Sequence, residues 1–181
     1  GVTVGDVAQR TGLSRAAVRR LLITLELLGY ANHAGPVYRL NSRALRLGFS
    51  FLSSNSLATL ALPVLEEVTA DIRESSSMSI LEGEEIVYVA RSATKRVMSV
   101  GLSIGSRLPA YCTSMGRVLL AALTPAELKV YFSRATLTAH TPKTLVRRPD
   151  LAAEIGRVRE QGFALVDEEL EVGLRSLAVP V

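Results

Sequence analysis

The first regular pattern of apolar and polar positions lies in residues 3–30, TVGDVAQRTGLSRAAVRRLLITLELLGY. Apolar residues recur there at helical spacing in two runs separated by Gly12. Thr3 and Asp6 have the spacing of a capping box, and Val4, Val7 and Ala8 give the first predicted helix its apolar face. Gly12 ends that helix, because a left-handed residue carries no steric penalty when it lacks a Cβ. Ser14 caps a second helix, with Val18, Leu21, Leu22, Leu25 and Leu28 along one stripe. Gly29-Tyr30 closes it, and residues 31–40 read as two short strands around His33-Ala34-Gly35-Pro36.

The pattern stays helical through residues 41–54 (NSRALRLGFSFLSS), with Leu45, Leu47, Phe49, Phe51 and Leu52 as apolar positions. Ser53-Ser54-Asn55-Ser56 is a polar break and the expected hinge. Residues 57–72 predict another helix, kinked or restarted at Pro63. From Ser76 the period changes to two: Met78-Ser79-Ile80-Leu81 and Ile86-Val87-Tyr88-Val89-Ala90 form a hairpin around Glu82-Gly83-Glu84-Glu85. Residues 97–102 predict a further strand, and GSRLP at 105–109 a loop. Residues 113–123 predict a helix, and Thr124-Pro125-Ala126-Glu127 opens the next with a cap, a proline at the first position and a capping box. Pro149-Asp150 starts a helix that Gly162 ends. Strands follow at 163–166 and from Gly173 to Val181, separated by the acidic segment 167–171.

The predicted fold class is α+β. The expected parts are an N-terminal winged helix-turn-helix over residues 1–41, a linker helix and hinge over 42–56, and a second domain over 57–181. That second domain pairs an antiparallel sheet with packed helices.

Charge sharpens this division. Residues 1–47 hold seven arginines against Asp6 and Glu26, a local balance of +5, while the rest of the 181-residue chain sums to −1. Positive charge confined to one domain is the footprint of a polyanionic partner. On the second helix Arg15, Arg19 and Arg20 lie opposite the apolar stripe, the arrangement that major-groove reading requires. The hairpin after it would be a wing over the adjacent phosphates, with Tyr38 and Arg39 near its base. An ordinary helical hairpin with solvated arginines is the alternative, and the wing argues against it. Candidate DNA contacts are Thr3, Ser14, Arg15, Arg19, Arg20, Tyr38 and Arg39.

Cysteine and histidine counts narrow the chemistry. One cysteine, Cys112, excludes an intramolecular disulfide, and two distant histidines, His33 and His140, argue against a metal centre. No apolar run reaches the ~20 residues of a membrane span, and no targeting motif is visible. We therefore expect a cytoplasmic protein with neither metal nor cofactor.

In order and spacing over essentially the whole chain, these segments resemble the IclR family of transcriptional regulators. TGLSRAAVRRLLITLELLGY and YRLNSRALRLG are similar to that family's recognition helix, wing and linker start. ILEGEEIVYVARS, GSRLPAYCTSMGRVLLAAL and GFALVDEELEVGLRSLAVPV resemble its ligand-binding domain, which is GAF-like. The last segment is most similar to regulators of aromatic-acid catabolism through the β-ketoadipate route. The family usually has a helix before the helix-turn-helix and a strand and helix after the final Ala-x-Pro segment. This sequence has neither, so a fragment or a partly ordered chain is expected. Ala16 and Ala17 replace the common Ser or Thr of the recognition helix, shifting the load onto Arg15, Arg19 and Arg20.

The resemblance implies a homodimer or homotetramer on a pseudo-palindromic operator in double-stranded DNA, controlled by a small organic acid. Arg20 corresponds to the family's phosphate-anchoring arginine. Leu174 and Ser176 match its pocket-lining positions, and Val166 stands where many members carry an acidic residue that helps hold small keto acids. An apolar residue there suits a less polar, aromatic ligand.

The residues also suggest where a carboxylate would sit. In LPAYCTSMG, Thr113 and Ser114 bring hydroxyls to a helix start whose free N–H groups favour an anion. Simple N-capping by either residue is the competing reading. The candidate effector site is Leu108, Tyr111, Thr113, Ser114, Met115, Val166, Asp167, Leu174 and Ser176, with Asp167 at the rim beside Glu168. A catalytic alternative would make Cys112 a nucleophile and His140 its base. No nucleophile–base–orienter set or catalytic motif accompanies them, so an enzyme is not expected.

Overall fold

The computed structural model describes residues 1–54, 56–94 and 101–181. They divide into two compact units, Gly1–Ser56 and Leu57–Val181, with helices and antiparallel sheets in both.

The first unit contains β1 (Val2–Thr3), α1 (Val4–Thr11), α2 (Arg15–Leu27), β2 (Ala31–Ala34), β3 (Val37–Leu40) and α3 (Arg43–Ser54). The capping box forms as expected: Thr3 Oγ1 accepts from Asp6 N, and Asp6 Oδ2 accepts from Thr3 N at 2.7 Å. Gly12 takes φ 70° at the end of α1, and Ser14 Oγ accepts from Ala17 N to start α2. β2 and β3 pair antiparallel with His33 opposite Tyr38, and β1 adds to β3 as a third strand. Two residues are too few to show alternation, so β1 is invisible in the pattern. The core is Val18, Leu22 and Tyr38 with Val2, Val4, Val7 and Ala8 around them. Leu21, Leu25 and Leu28 share the apolar stripe of α2 but are exposed, because α1 and the small sheet cover a narrower strip than the pattern offers.

Arg43 Nη1 donates to Leu28 O at 2.8 Å, and its guanidinium lies 5.5 Å from the centre of the Tyr30 ring, tying the start of α3 to the end of α2. α3 runs through Ser54 and α4 (Ser56–Ile72) begins two residues later, continuing through Pro63 as one helix. Asn55, the third residue of the expected hinge, lies outside the described residues.

The second unit continues with β4 (Ser76–Glu82), β5 (Glu85–Ser92), β6 (Arg107–Pro109), α5 (Ser114–Ala122), α6 (Pro125–Arg134), α7 (Arg148–Gln161), β7 (Ala164–Asp167) and β8 (Arg175–Ala178). Gly83, at φ 65°, turns the β4–β5 hairpin. The expected loop at 105–109 is corrected in part: Arg107–Pro109 pairs with β5, Leu108 opposite Ile86, and Arg107 bonds Glu82 and Glu85. Three paired residues carry too little periodicity to be read as a strand. Most of the strand expected at 97–102 lies outside the described residues.

Helix α5 is the centre of this unit. It packs against α7 and against β4, β5, β7 and β8. Its core joins Val118, Leu120 and Ala121 to Ile86, Tyr88, Tyr131, Leu151, Ile155, Val158 and Ala164. The other face of β4–β5 packs Met78, Ile80, Val89 and Ala90 with Ala58 and Leu65 of α4. Close approach sets the start of α5: a Cβ on Gly116 would overlap the backbone of Ala110.

Candidate functional site

On the first unit the outer face of α2 presents Arg15, Arg19 and Arg20, all exposed, their guanidinium groups making no ion pair or hydrogen bond among the described residues. Three unpaired guanidinium groups on one helix keep their full charge available to phosphates and guanine edges. Arg39 on β3 is likewise exposed. The wing is fixed to α2 by His33, whose Nδ1 lies 2.7 Å from Glu26 Oε1 and whose ring sits 5.3 Å from that of Tyr38.

Two expected contacts are placed differently. Tyr38 is 9% exposed, its ring committed to the core against Val18 and Leu22, so its work is to anchor the wing. The Thr3 hydroxyl accepts from Asp6 N and donates to Asp6 Oδ2, leaving it bound inside its own cap. Ser14 Oγ holds the cap of α2 but keeps its hydroxyl proton for another acceptor.

On the second unit Tyr111, Cys112, Thr113 and Ser114 are all buried where a 3₁₀ turn (Ala110–Cys112) runs into α5. Thr113 is the N-cap: Oγ1 accepts from Gly116 N and donates to Pro109 O. The capping reading therefore holds for Thr113, and its hydroxyl is corrected from anion donor to cap. Ser114 Oγ and the N–H groups of Ser114 and Met115 have no hydrogen-bond partner among the described residues. Tyr111 points away to another task, its hydroxyl donating to Thr138 O and accepting from Thr138 N, while burial raises its pKa.

Across α5, Val166 and Ser176 are cross-strand partners on β7 and β8, with Val166 buried. Leu174, 40% exposed, sits in the turn between them, and Leu108 and Met115 pack at the edge of the main core. Asp167 lies outside this set, bonded to Lys143 Nζ at 2.6 Å and Arg175 Nε at 2.5 Å, and these two cations hold its carboxyl below the usual range. Glu168 adopts a left-handed φ of 57°, fixed by bonds to Leu174 O, Gly173 N, Lys143 and Thr141.

The pattern missed Arg117. It is buried on α5, donating from Nε to Tyr111 O and from Nη2 to Glu169 Oε2. No local signal marks a pair 52 residues apart in sequence.

The catalytic alternative finds no support. The Cys112 thiol is fully buried, bonds Pro109 O, and is pushed up to about 11 by that burial. His140 stacks on Tyr111 at 6.1 Å, and no interaction joins it to Cys112 among the described residues. Among those residues no group of three or more His, Cys, Asp or Glu side chains could hold a metal ion, and no helix is long and apolar enough to cross a membrane.

Comparison with known proteins places this geometry. Residues 49–181 match the family described as bacterial transcriptional regulator IclR C-terminal, and residues 1–34 match the IclR helix-turn-helix domain. The chain belongs to the IclR family. The Pca regulon regulatory protein of Pseudomonas putida is 50% identical over 181 residues, covering 99% of this chain and 62% of its own length. The chain thus spans a little under two thirds of that relative. A crystal structure of a transcriptional regulator from Rhodococcus sp. RHA1 is 49% identical with a TM-score of 0.81, covering 99% of this chain and 72% of the other. The inducer-binding domain of the PobR transcription factor from Acinetobacter, a double mutant in complex with 3-hydroxybenzoic acid, is 32% identical with a TM-score of 0.64. It covers 68% of this chain and 73% of its own. The IclR assignment accounts for both units.

Proposed function

We propose that this chain is an aromatic-acid-responsive transcriptional regulator. The winged helix-turn-helix of residues 1–41 binds double-stranded DNA, residues 42–56 link it to the second domain, and residues 57–181 bind a small carboxylic acid. The unpaired arginine face of α2 carries the DNA reading, because exposed guanidinium groups free of acidic partners are a phosphate-binding surface. Arg15 and Arg19 are the base-edge candidates, Arg20 and Arg39 the phosphate contacts. The effector reading is supported by 50% identity to a Pca regulon protein and by the named complex of the PobR domain with a hydroxybenzoic acid.

The effector is read as contacting Leu108, Met115, Val166, Leu174 and Ser176, with Ser114 and the open N–H groups at the start of α5 toward its polar end. A buried valine at 166 in place of an acid favours an aromatic body over a small keto acid. A cytoplasmic homodimer or homotetramer, setting two wings on a pseudo-palindrome, completes the reading.

The test is duplex binding by fluorescence anisotropy, with sites obtained by selection from random sequence. Saturating 4-hydroxybenzoate, protocatechuate, β-ketoadipate or pyruvate is then added. An effector should change duplex affinity by ~5–150-fold, the usual range of coupling between sites. If no acid changes it, the effector class is wrong; if affinity is insensitive to salt, the DNA reading is wrong.

A further inference from the structure

Strict alternation along β5 would put Tyr88 and Arg91 on opposite faces, since they are three residues apart. The register shows otherwise. Met78 pairs with Ala90 while Ser79 pairs with Tyr88, so Val89 is an extra residue and β5 bulges there. Val89 and Ala90 both join the cluster with Ala58 under α4, and the phase of the strand resets behind them. Ser77 pairs with Arg91 and Ser79 with Tyr88. Tyr88 belongs to the core that contains α5, so Ser77, Ser79, Tyr88 and Arg91 share the face of the sheet that α5 covers. Bulges re-aim side chains in this way, and here the bulge carries a guanidinium onto the α5 side.

That guanidinium is half used. Nη1 donates to Ser77 Oγ at 2.9 Å, and the group lies 5.9 Å from the centre of the Tyr88 ring. Nε is buried and has no partner, Nη2 makes no hydrogen bond, and no carboxylate pairs with the group among the described residues. Nε and Nη2 form the side-on edge of the fork, the edge that takes both oxygens of a carboxylate. Ser79 Oγ, one pair along the same face, is also buried without a partner. Buried orphan donors of this kind are rare and call for an acceptor.

We propose that Arg91, presented by the β5 bulge and braced by Ser77 and Tyr88, receives the carboxylate of the effector through Nε and Nη2, with Ser79 as a neighbouring donor. The inference rests on the acid-effector reading above and puts the carboxylate at this cation rather than at the start of α5. The ligand class is an aromatic monocarboxylate.

The experiment is calorimetric titration of the chain with 4-hydroxybenzoate, protocatechuate and the uncharged 4-hydroxybenzyl alcohol. Wild type should prefer the acids to the alcohol. Arg91→Met should weaken the acids about 10- to 100-fold and abolish that preference, the loss expected for charge-assisted bonds. Arg91→Lys, which keeps the charge but not the fork, should fall between, and Ser79→Ala should cost several-fold by the loss of one hydrogen bond. Thermal melting and ligand-free duplex affinity check the fold of each variant; if Arg91→Met does not fold, Arg91→Lys and Ser79→Ala decide. Unchanged acid binding in these variants, or equal loss of acid and alcohol, overturns the role of Arg91 while leaving the acid-effector reading intact. If wild type binds no acid at millimolar concentration, that reading falls and this inference with it.

Discussion

The Nη2 of Arg117 donates to Glu169 Oε2 across 2.7 Å, and the side chains are 1% and 10% exposed. The same carboxylate oxygen accepts from Leu145 N, Glu154 of α7 lies 3.7 Å from Nη1, and Nε holds Tyr111 O. One guanidinium therefore joins the turn before α5, the helix α7 and the segment after β7. Desolvating two charges is expensive, and here the bonds to Tyr111 O and Leu145 N, with Glu154 nearby, offset part of it. Removing one charge and leaving the other is the costly change.

Arg117→Met should lower stability by about 3–5 kcal/mol, because Glu169 is left buried and unpaired. The double substitution with Glu169→Leu should recover a large part of that loss. Urea unfolding of the four proteins in a double-mutant cycle measures it. Additive losses would mean the pair is not coupled.

Gly116→Ala should be nearly as damaging, though it adds a single methyl. Its Cβ would overlap the Ala110 carbonyl, which is backbone and cannot swing aside. Overpacking of this kind costs about 1–3 kcal/mol or more. Gly156→Ala on α7, where a Cβ meets nothing within 4 Å, should instead be stabilising. Thermal melting of the two variants should move in opposite directions.

These residues mark what the sequence could and could not tell. Caps and turns are local chemistry, so Thr3–Asp6, Gly12, Ser14, Thr124–Glu127 and Gly162 are legible within four residues. The β4–β5 hairpin is legible for the same reason. The apolar pattern shows which face of α2 can be buried, but not that Leu21, Leu25 and Leu28 stay exposed, since that depends on what covers them. The place of Tyr38 on the wing points toward DNA, while its burial against Val18 and Leu22 makes it a core residue. Arg91 and Arg117 needed tertiary information: one depends on a bulge that breaks the period of two, the other on a partner 52 residues away.

The thiol of Cys112 should be inert in the folded chain. With a pKa of about 11, roughly one thiol in a thousand is ionised at pH 8, and the sulfur is fully buried. Ellman's reagent should therefore react at the rate of unfolding or slower, and at the rate of a free thiol once urea is added. Cys112→Ala should leave duplex binding and effector response within a few-fold of wild type. A fast native reaction, or loss of effector response in a folded variant, would restore a chemical role to this residue.

Acid should unfold the chain through a defined set of carboxyls. Asp6 is held below its ordinary value by the Thr3 N–H and hydroxyl, and Glu127 by the Thr124 hydroxyl and N–H. Asp167 is lowered by Lys143 and then Arg175, and Glu168 by Lys143 and then the Gly173 N–H. Each binds its proton less readily when folded than when unfolded, so its contribution is complete above the unfolded values of about 3.8 to 4.5. It is lost as pH falls through the lower folded values. Urea midpoints should be level from pH 7 to about 5 and decline below that. Lys143→Met should lower the midpoint at pH 7 and matter less at pH 2, as its two carboxylate partners take up protons. An equal effect at both values would show that Lys143 acts through packing.

Arg20 tests the DNA face most directly. It is exposed on α2 with no acidic partner among the described residues, so removing it disturbs no ion pair within the protein. A phosphate contact contributes by releasing counterions, and its loss has a signature that a base contact lacks. Arg20→Ala should weaken specific and nonspecific duplexes by similar factors and flatten the plot of log affinity against log salt by about one unit. Arg19→Ala, if Arg19 reaches a guanine edge, should cost about 1–3 kcal/mol at one base position and spare nonspecific binding. Anisotropy titrations from 50 to 200 mM salt on a selected site and a scrambled one separate the two. Unchanged affinity and slope in Arg20→Ala would place Arg20 outside the interface, and a loss confined to the selected site would make it a base-reading residue instead.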